Sequence, residues 1–186
     1  MNPPQIGSCG LGGHPRIAAA ISDFVGLSTI NSALQEGVDI LELRVDLFPD
    51  PASRQIDAYL EQLRPRPVLL TIRRPEEGGR WPANESARLN RYLQLIPLAD
   101  AVDVECRASI AAEVIRTARQ LGRTAIASFH DFQTTPDPSE LDRLVDAFPA
   151  TGADILKIAA WCRDQADLRR LTAFLCSRRS PPMIVI

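Results

Sequence analysis

The chain has 186 residues, with 21 Lys and Arg against 23 Asp and Glu and a hydrophobic share of 45%. That composition suits one ordinary globular domain and excludes a disordered tail, and the balanced charge excludes the basic footprint of a general nucleic-acid binder. No run approaches the roughly 18 apolar residues that span a bilayer, and the N-terminus lacks a signal-peptide layout, so the expectation is a cytoplasmic protein with neither membrane nor nucleic-acid partner.

Residues 1–14, MNPPQIGSCGLGGH, are rich in glycine and are expected to form a flexible leader. Cys9 and His14 within it make too small a set for a metal site. Cys9, Cys106, Cys162 and Cys176 are far apart with no C-x-x-C pair, so they read as reduced thiols, with no disulfide and no metal.

From residue 15 onward, short apolar segments alternate with longer amphipathic ones. Strands are predicted near 16–21, 38–45, 68–72, 101–105, 124–129, 154–158 and 183–186. Helices are predicted near 28–36, 52–63, 86–96, 110–121, 139–148 and 165–177. A helix in every connection implies parallel strands, which leaves a doubly wound open sheet or a (β/α)8 barrel. No strand is followed by G-x-G-x-x-G, and no Walker motif exists, because the only lysine lies elsewhere. Charged residues at several strand C-termini favour the barrel, which keeps its active site at that end.

The segment Ile40-Leu41-Glu42-Leu43-Arg44-Val45-Asp46-Leu47 alternates with period two. Its apolar face belongs under helices, so Glu42 and Arg44 look into the barrel mouth, where they are expected to partner each other or a ligand. The segment Thr71-Ile72-Arg73-Arg74-Pro75-Glu76-Glu77-Gly78-Gly79 places Thr71 and Arg73 on one face and ends in a glycine loop carrying two acids. Arginine there can hold hydroxyls or a carboxylate, and an acid can orient a histidine.

His130 ends Ser128-Phe129-His130-Asp131-Phe132 as a candidate proton carrier. One βα unit later, Ala153-Asp154-Ile155-Leu156-Lys157-Ile158-Ala159 holds Lys157 in an apolar strand. Twenty of the 21 cationic residues are arginines, and Lys157 is the single lysine. Arginine stays protonated, whereas a desolvated lysine becomes a nucleophilic amine able to form a Schiff base. A biased codon usage explains the arginines but not a lone lysine within a buried strand.

Taken together, ELRVD (42–46), TIRRPEEGG (71–79), DVE (103–105), SFHDF (128–132) and ADILKIA (153–159) resemble the type I 3-dehydroquinate dehydratases, in order and at compatible spacing. The resemblance runs from about residue 15 to 186 and implies a TIM-type (β/α)8 barrel, of which seven strands and six helices fall in this chain. It implies a hydro-lyase of the shikimate pathway, and so of aromatic amino-acid biosynthesis, which converts 3-dehydroquinate to 3-dehydroshikimate without metal, nucleotide or other cofactor. By position, it implies that Lys157 forms the Schiff base, His130 moves the protons, Glu77 orients His130, and Glu42, Arg44 and Arg73 bind the substrate hydroxyls.

Two departures follow from the resemblance. Ala20 stands where some members have a serine near the substrate. The family also continues beyond the strand at 183–186 with an arginine for the substrate carboxylate and a Ser and Gln lid, positions this sequence does not contain. The barrel expected here therefore lacks its last βα units, and its closure falls to further chain or to another route such as a partner. A homodimer is left open. Two alternatives to the lyase remain: an impaired, dehydratase-like binding or regulatory protein, and a class I aldolase-like Schiff-base barrel.

Overall fold

The computed structural model describes residues 3–82 and 84–186. In chain order its elements are β1 (Gln5–Ile6), β2 (Cys9–Gly10), β3 (Ala18–Ile21), α1 (Leu27–Gln35), β4 (Ile40–Arg44), α2 (Gln55–Leu63), β5 (Val68–Thr71), α3 (Glu85–Leu95), β6 (Ala101–Glu105), α4 (Ala111–Gln120), β7 (Thr124–Asp131), α5 (Pro138–Thr151), β8 (Ile155–Ala160), α6 (Gln165–Cys176) and β9 (Met183–Val185).

Strands β3 to β9 form one seven-stranded sheet in sequence order, every neighbouring pair parallel and every connection carrying a helix. This is the α/β barrel-type winding, with β3 and β9 as the two sheet edges. Among the described residues, no helix is long and apolar enough to cross a membrane.

Local chemistry sets the helix ends. Helix α2 starts three residues later than its periodicity predicts, because the Asp50 carboxylate accepts the Ala52 N–H and holds residues 50–53 in a turn. Asp137 caps α5 by accepting the Glu140 N–H, with Pro138 at the first helical position, and Asp164 caps α6 through the Ala166 and Asp167 N–H groups. Helix α5 runs on through Pro149 to Thr151 and stops at Gly152, whose φ of +71° suits the left-handed exit.

The alternating strand pattern separates two apolar layers. Outward residues such as Leu43, Leu70, Val102, Ala127 and Ile158 are buried under Leu60, Tyr92, Leu95, Val114, Leu141 and Phe174 of the helices. Inward residues Ile40, Leu69, Ala101, Ile126 and Ile155 form a second cluster at the N-terminal end of the strands. That cluster is closed by residues Ile6 and Cys9, so the stretch expected to be a flexible leader carries a β1–β2 hairpin in contact with the sheet interior. Ile6 and Cys9, opposite each other across a two-residue turn, gave the segment a face to bury, which its glycine content obscured. Cys9 is buried there while His14 is exposed, so the two do not form a pair of ligands.

Candidate active site

Moving two residues at a time along the inner face, strands β4 to β8 pass from apolar to polar: Ile40 to Glu42 to Arg44, Leu69 to Thr71 to Arg73 just past the end of β5, Ala101 to Asp103 to Glu105, Ile126 to Ser128 to His130, and Ile155 to Lys157. The apolar residues lie at the hairpin end and the polar ones at the C-terminal ends, where a sheet of this winding presents its βα loops.

Lys157 is not alone in an apolar pocket, as its strand composition suggests. Its Nζ lies 2.9 Å from Oδ2 of Asp103, a residue with no exposed surface. The other oxygen, Oδ1, accepts from Nη2 of Arg73 at 2.8 Å and from the Ser128 hydroxyl at 2.5 Å. Nη1 of Arg73 donates to Ser128 Oγ and lies 3.4 Å from Glu105, and Glu105 in turn holds the fully buried Arg88 at 2.7 Å. Tyr92, also buried, donates its hydroxyl to the Asp103 carbonyl.

The charges in this chain alternate, which is how a buried network avoids an orphan ion. Burial by itself would raise the Asp103 carboxyl. The positive charges of Arg73, Lys157 and His130, with the Ser128 hydrogen bond, outweigh it and hold the carboxyl far below the usual carboxylate range. Burial likewise works against the Arg73 guanidinium, and Asp103 and Glu105 reverse that to keep it charged.

His130 stands on β7, one strand from Lys157, with its side chain largely buried against Glu77. Glu77 sits in a single 3-10 turn, Pro75–Glu77, where Pro75 ends the extended run after β5. Its Oε2 lies 3.0 Å from His130 Nδ1, and its Oε1 accepts from Arg74 at 2.9 Å. Burial pushes the Glu77 carboxyl up, but the His130 and Arg74 hydrogen bonds and charges bring it below its ordinary value. An ionised Glu77 can only accept, so Nδ1 carries the hydrogen of this bond, and Nε2 is the ring nitrogen placed to exchange protons with a substrate.

The turn is closed by Gly78 and Gly79. Gly78 has φ of +79°, and a Cβ there would come within 2.4 Å of the Phe132 ring. A Cβ on Gly79 would meet the Arg73 carbonyl at 2.0 Å. Two glycines thus allow the loop to lie against both the strand end and Phe132, whose ring stacks on His130 at 6.1 Å between centroids.

The remaining candidates divide. Glu42 and Arg44 both lie on β4, but they do not pair with each other. Glu42 accepts from the Thr71 hydroxyl at 2.8 Å, and Arg44 makes a two-point contact with Asp46, at 3.1 and 2.9 Å. Of the two partners expected for this face, each other or a ligand, the first is not found: Glu42 turns to Thr71 on the neighbouring strand, and the chain leaves β4 after Arg44 in a 3-10 turn, Val45–Leu47, that brings Asp46 back to the guanidinium. Arg73 is 3% exposed, and its terminal nitrogens are engaged by Asp103 and Ser128.

Asp103, Ser128 and Glu105 were quoted above only as parts of motifs. The signal that could have singled them out is the period-two placement of Asp103 and Glu105 among Ala101, Val102 and Val104, which puts two acids on an inner face. Burial also pushes the thiol of Cys106, beside this site, up to about 11, which leaves it unsuited to nucleophilic work.

The sequence model of the family described as type I 3-dehydroquinase matches residues 23–186. A 3-dehydroquinate dehydratase of Methanococcoides burtonii is 33% identical over 172 residues, covering 90% of this chain and 73% of that protein. One from Aquifex aeolicus is 32% identical over 166 residues, covering 88% and 73%. Among solved structures, the Aquifex aeolicus 3-dehydroquinate dehydratase superposes with a TM-score of 0.80 at 28% identity, covering 92% of this chain and 80% of that one. The type I enzyme of Clostridium difficile, with covalently modified comenic acid, gives 0.83 at 25% identity, covering 97% and 79%. Matched across most of its length in sequence and in fold, the chain belongs to the type I 3-dehydroquinase family.

Proposed function

We propose that this chain dehydrates 3-dehydroquinate to 3-dehydroshikimate through a Schiff base on Lys157, with residues 15–186 as the barrel domain that carries the reaction and the cytoplasm as its compartment. The observation that supports this most is the placement of the sole lysine and of the His130 and Glu77 pair on the inner face at one end of the same sheet. The family membership supplies the substrate.

In this reading, the Lys157 amine attacks the substrate ketone carbon, and water leaves to give a protonated imine. The imine draws electrons from the adjacent C–H bond, and Nε2 of His130 takes that proton to leave a neutral enamine. The enamine electrons re-form the iminium as the C–O bond breaks, and His130 returns its proton to the departing hydroxide as water. Addition of water to the new imine frees Lys157 and the unsaturated ketone. Glu77 holds the His130 tautomer through these steps. Glu42, Arg44 and Arg73 bind the hydroxyls and position the ring, Arg73 with the hydrogens that Asp103 and Ser128 leave free.

The test is to incubate the chain with dehydroquinate, reduce it with borohydride, weigh it, and follow dehydroshikimate by its absorbance. The expected result is a reduced adduct on Lys157 together with product. No adduct on Lys157 would sink the Schiff-base reading, and an adduct without product would favour a dehydratase-like binding protein instead.

A further inference from the structure

We propose that Asp103 is the fixed counterion of the Lys157 nitrogen, pairing with the ammonium before reaction and holding the imine protonated during it. The inference deepens the Schiff-base reading above and rests on it. Three observations carry it. Oδ2 of Asp103 is 2.9 Å from Nζ, so the lysine nitrogen already faces this carboxylate. Asp103 has no exposed surface and the Lys157 side chain is only 13% exposed, so water screens the pair little. Its other oxygen is fixed by Arg73 and Ser128, which leaves Oδ2 aimed at the lysine without reorganisation.

The chemistry uses the same pairing twice. Attack on the ketone needs the amine free of its extra proton, which His130 takes up and returns to the carbinolamine hydroxyl; that group leaves as water, and the positive charge comes back to the same nitrogen as C=N–H⁺. An anion at hydrogen-bond distance favours the charged form of the imine over the neutral one. Only the charged form accepts the electron pair of the broken C–H bond and is re-formed when the C–O bond breaks. Asp103 is thus a positioning and electrostatic residue, exchanging no proton and forming no bond with the substrate. Arg73, in this arrangement, acts on the lysine through Asp103.

The other ionisable groups around Lys157 are Glu42 from β4, Arg73 just after β5 and His130 from β7, with His14 and Arg16 along the same cavity wall below it. Among the described residues, Nζ bonds none of these, and its partner is Asp103.

The experiment first repeats borohydride trapping on the unaltered chain. If no adduct forms there, the Schiff-base reading fails and Asp103 is not at issue. With that adduct in hand, Asp103→Asn is compared. The expected loss of kcat is about 10², the usual effect of removing one preorganised electrostatic partner. The pH of maximal trapping is expected to move to the acid side, because an imine without its counterion needs a higher proton concentration to stay charged. Trapping that keeps its pH profile would overturn the proposal, however far turnover falls.

Should Asp103→Asn fail to fold, the single lysine permits a test on the unaltered chain. Labelling with ¹⁵N-lysine gives one side-chain signal, and at equilibrium with dehydroquinate and its product the imine nitrogen is expected at the protonated position at neutral pH. A neutral-imine shift there would overturn the assignment.

Discussion

One carboxylate oxygen, Oε2 of Glu77, lies 3.0 Å from both the ring Nδ1 and the backbone N–H of His130. The acid therefore fixes the histidine at two points, and its second oxygen is itself fixed by Arg74. Glu77→Gln keeps the shape and removes the charge, so kcat is expected to fall with little change in KM. His130→Ala, which removes the proton carrier itself, is expected to slow turnover by roughly 10² to 10⁴ while borohydride still traps the imine. If Glu77 acts through His130, the double variant should be no slower than His130→Ala alone. Steady-state rates of the three variants decide it, and additive losses would show that Glu77 has a separate task.

Gly78 joins the acid to the aromatic ring over the histidine. Gly78→Ala is expected to destabilise the fold by about 1 to 3 kcal/mol through its left-handed backbone, and in addition to push Phe132 off His130. The two effects separate in a cycle with Phe132→Ala, which removes the ring that a Cβ at residue 78 would strike. Phe132→Ala should then restore part of the stability lost in Gly78→Ala but none of the backbone strain, as read from thermal or denaturant unfolding. No recovery at all would mean that the ring yields freely.

The parallel order of the strands, the six helices and the inner polar face were legible because period-two and period-3.6 patterns are local, and a helix in every crossover leaves few windings. Lys157 and His130 stood out for similar reasons, each being chemically conspicuous within its strand, whereas Glu77 was one of two acids in a charged loop and was singled out only by the family resemblance. The partners of Lys157 were harder to see. Its neighbour Asp103 lies 54 residues earlier in the chain. Pairing across a sheet depends on register, and register is a property of the assembled strands. The same cause hid the engagement of Arg73 by Asp103 and Ser128, whereas the Arg44 contact with Asp46, two residues on, depends on the 3-10 turn that ends β4.

Acid stability should report the buried carboxylates. Asp103 and Glu77 are both held below their ordinary values, so the folded state binds fewer protons than the unfolded one as pH falls past the ordinary carboxylate range. Their contribution is fully present above about pH 4 and is lost progressively below it. Unfolding temperature is expected to drop steeply from about pH 4 downward, and Asp103→Asn, though less stable at neutral pH, should show a shallower drop. Parallel curves for the two proteins would mean that Asp103 is not held low in the folded state.

The N-terminal hairpin offers the sharpest contrast between composition and structure. Ile6 is 2% exposed and packs with Cys9 against the inner cluster of Ile40, Leu69, Ala101, Ile126 and Ile155. The Thr124 hydroxyl bonds the Gln5 carbonyl, which ties the hairpin to the start of β7. If the segment closes the end of the sheet interior, Ile6→Ala removes buried volume and should cost roughly 2 to 5 kcal/mol, the range for such truncations in a packed core. A leader that only frays would give almost no change. Denaturant unfolding of Ile6→Ala beside the exposed-site control Ile17→Ala distinguishes the two, since Ile17 is 56% exposed and its truncation should cost little. Equal, small effects at both positions would return residues 1–14 to the flexible leader that their glycine content suggested.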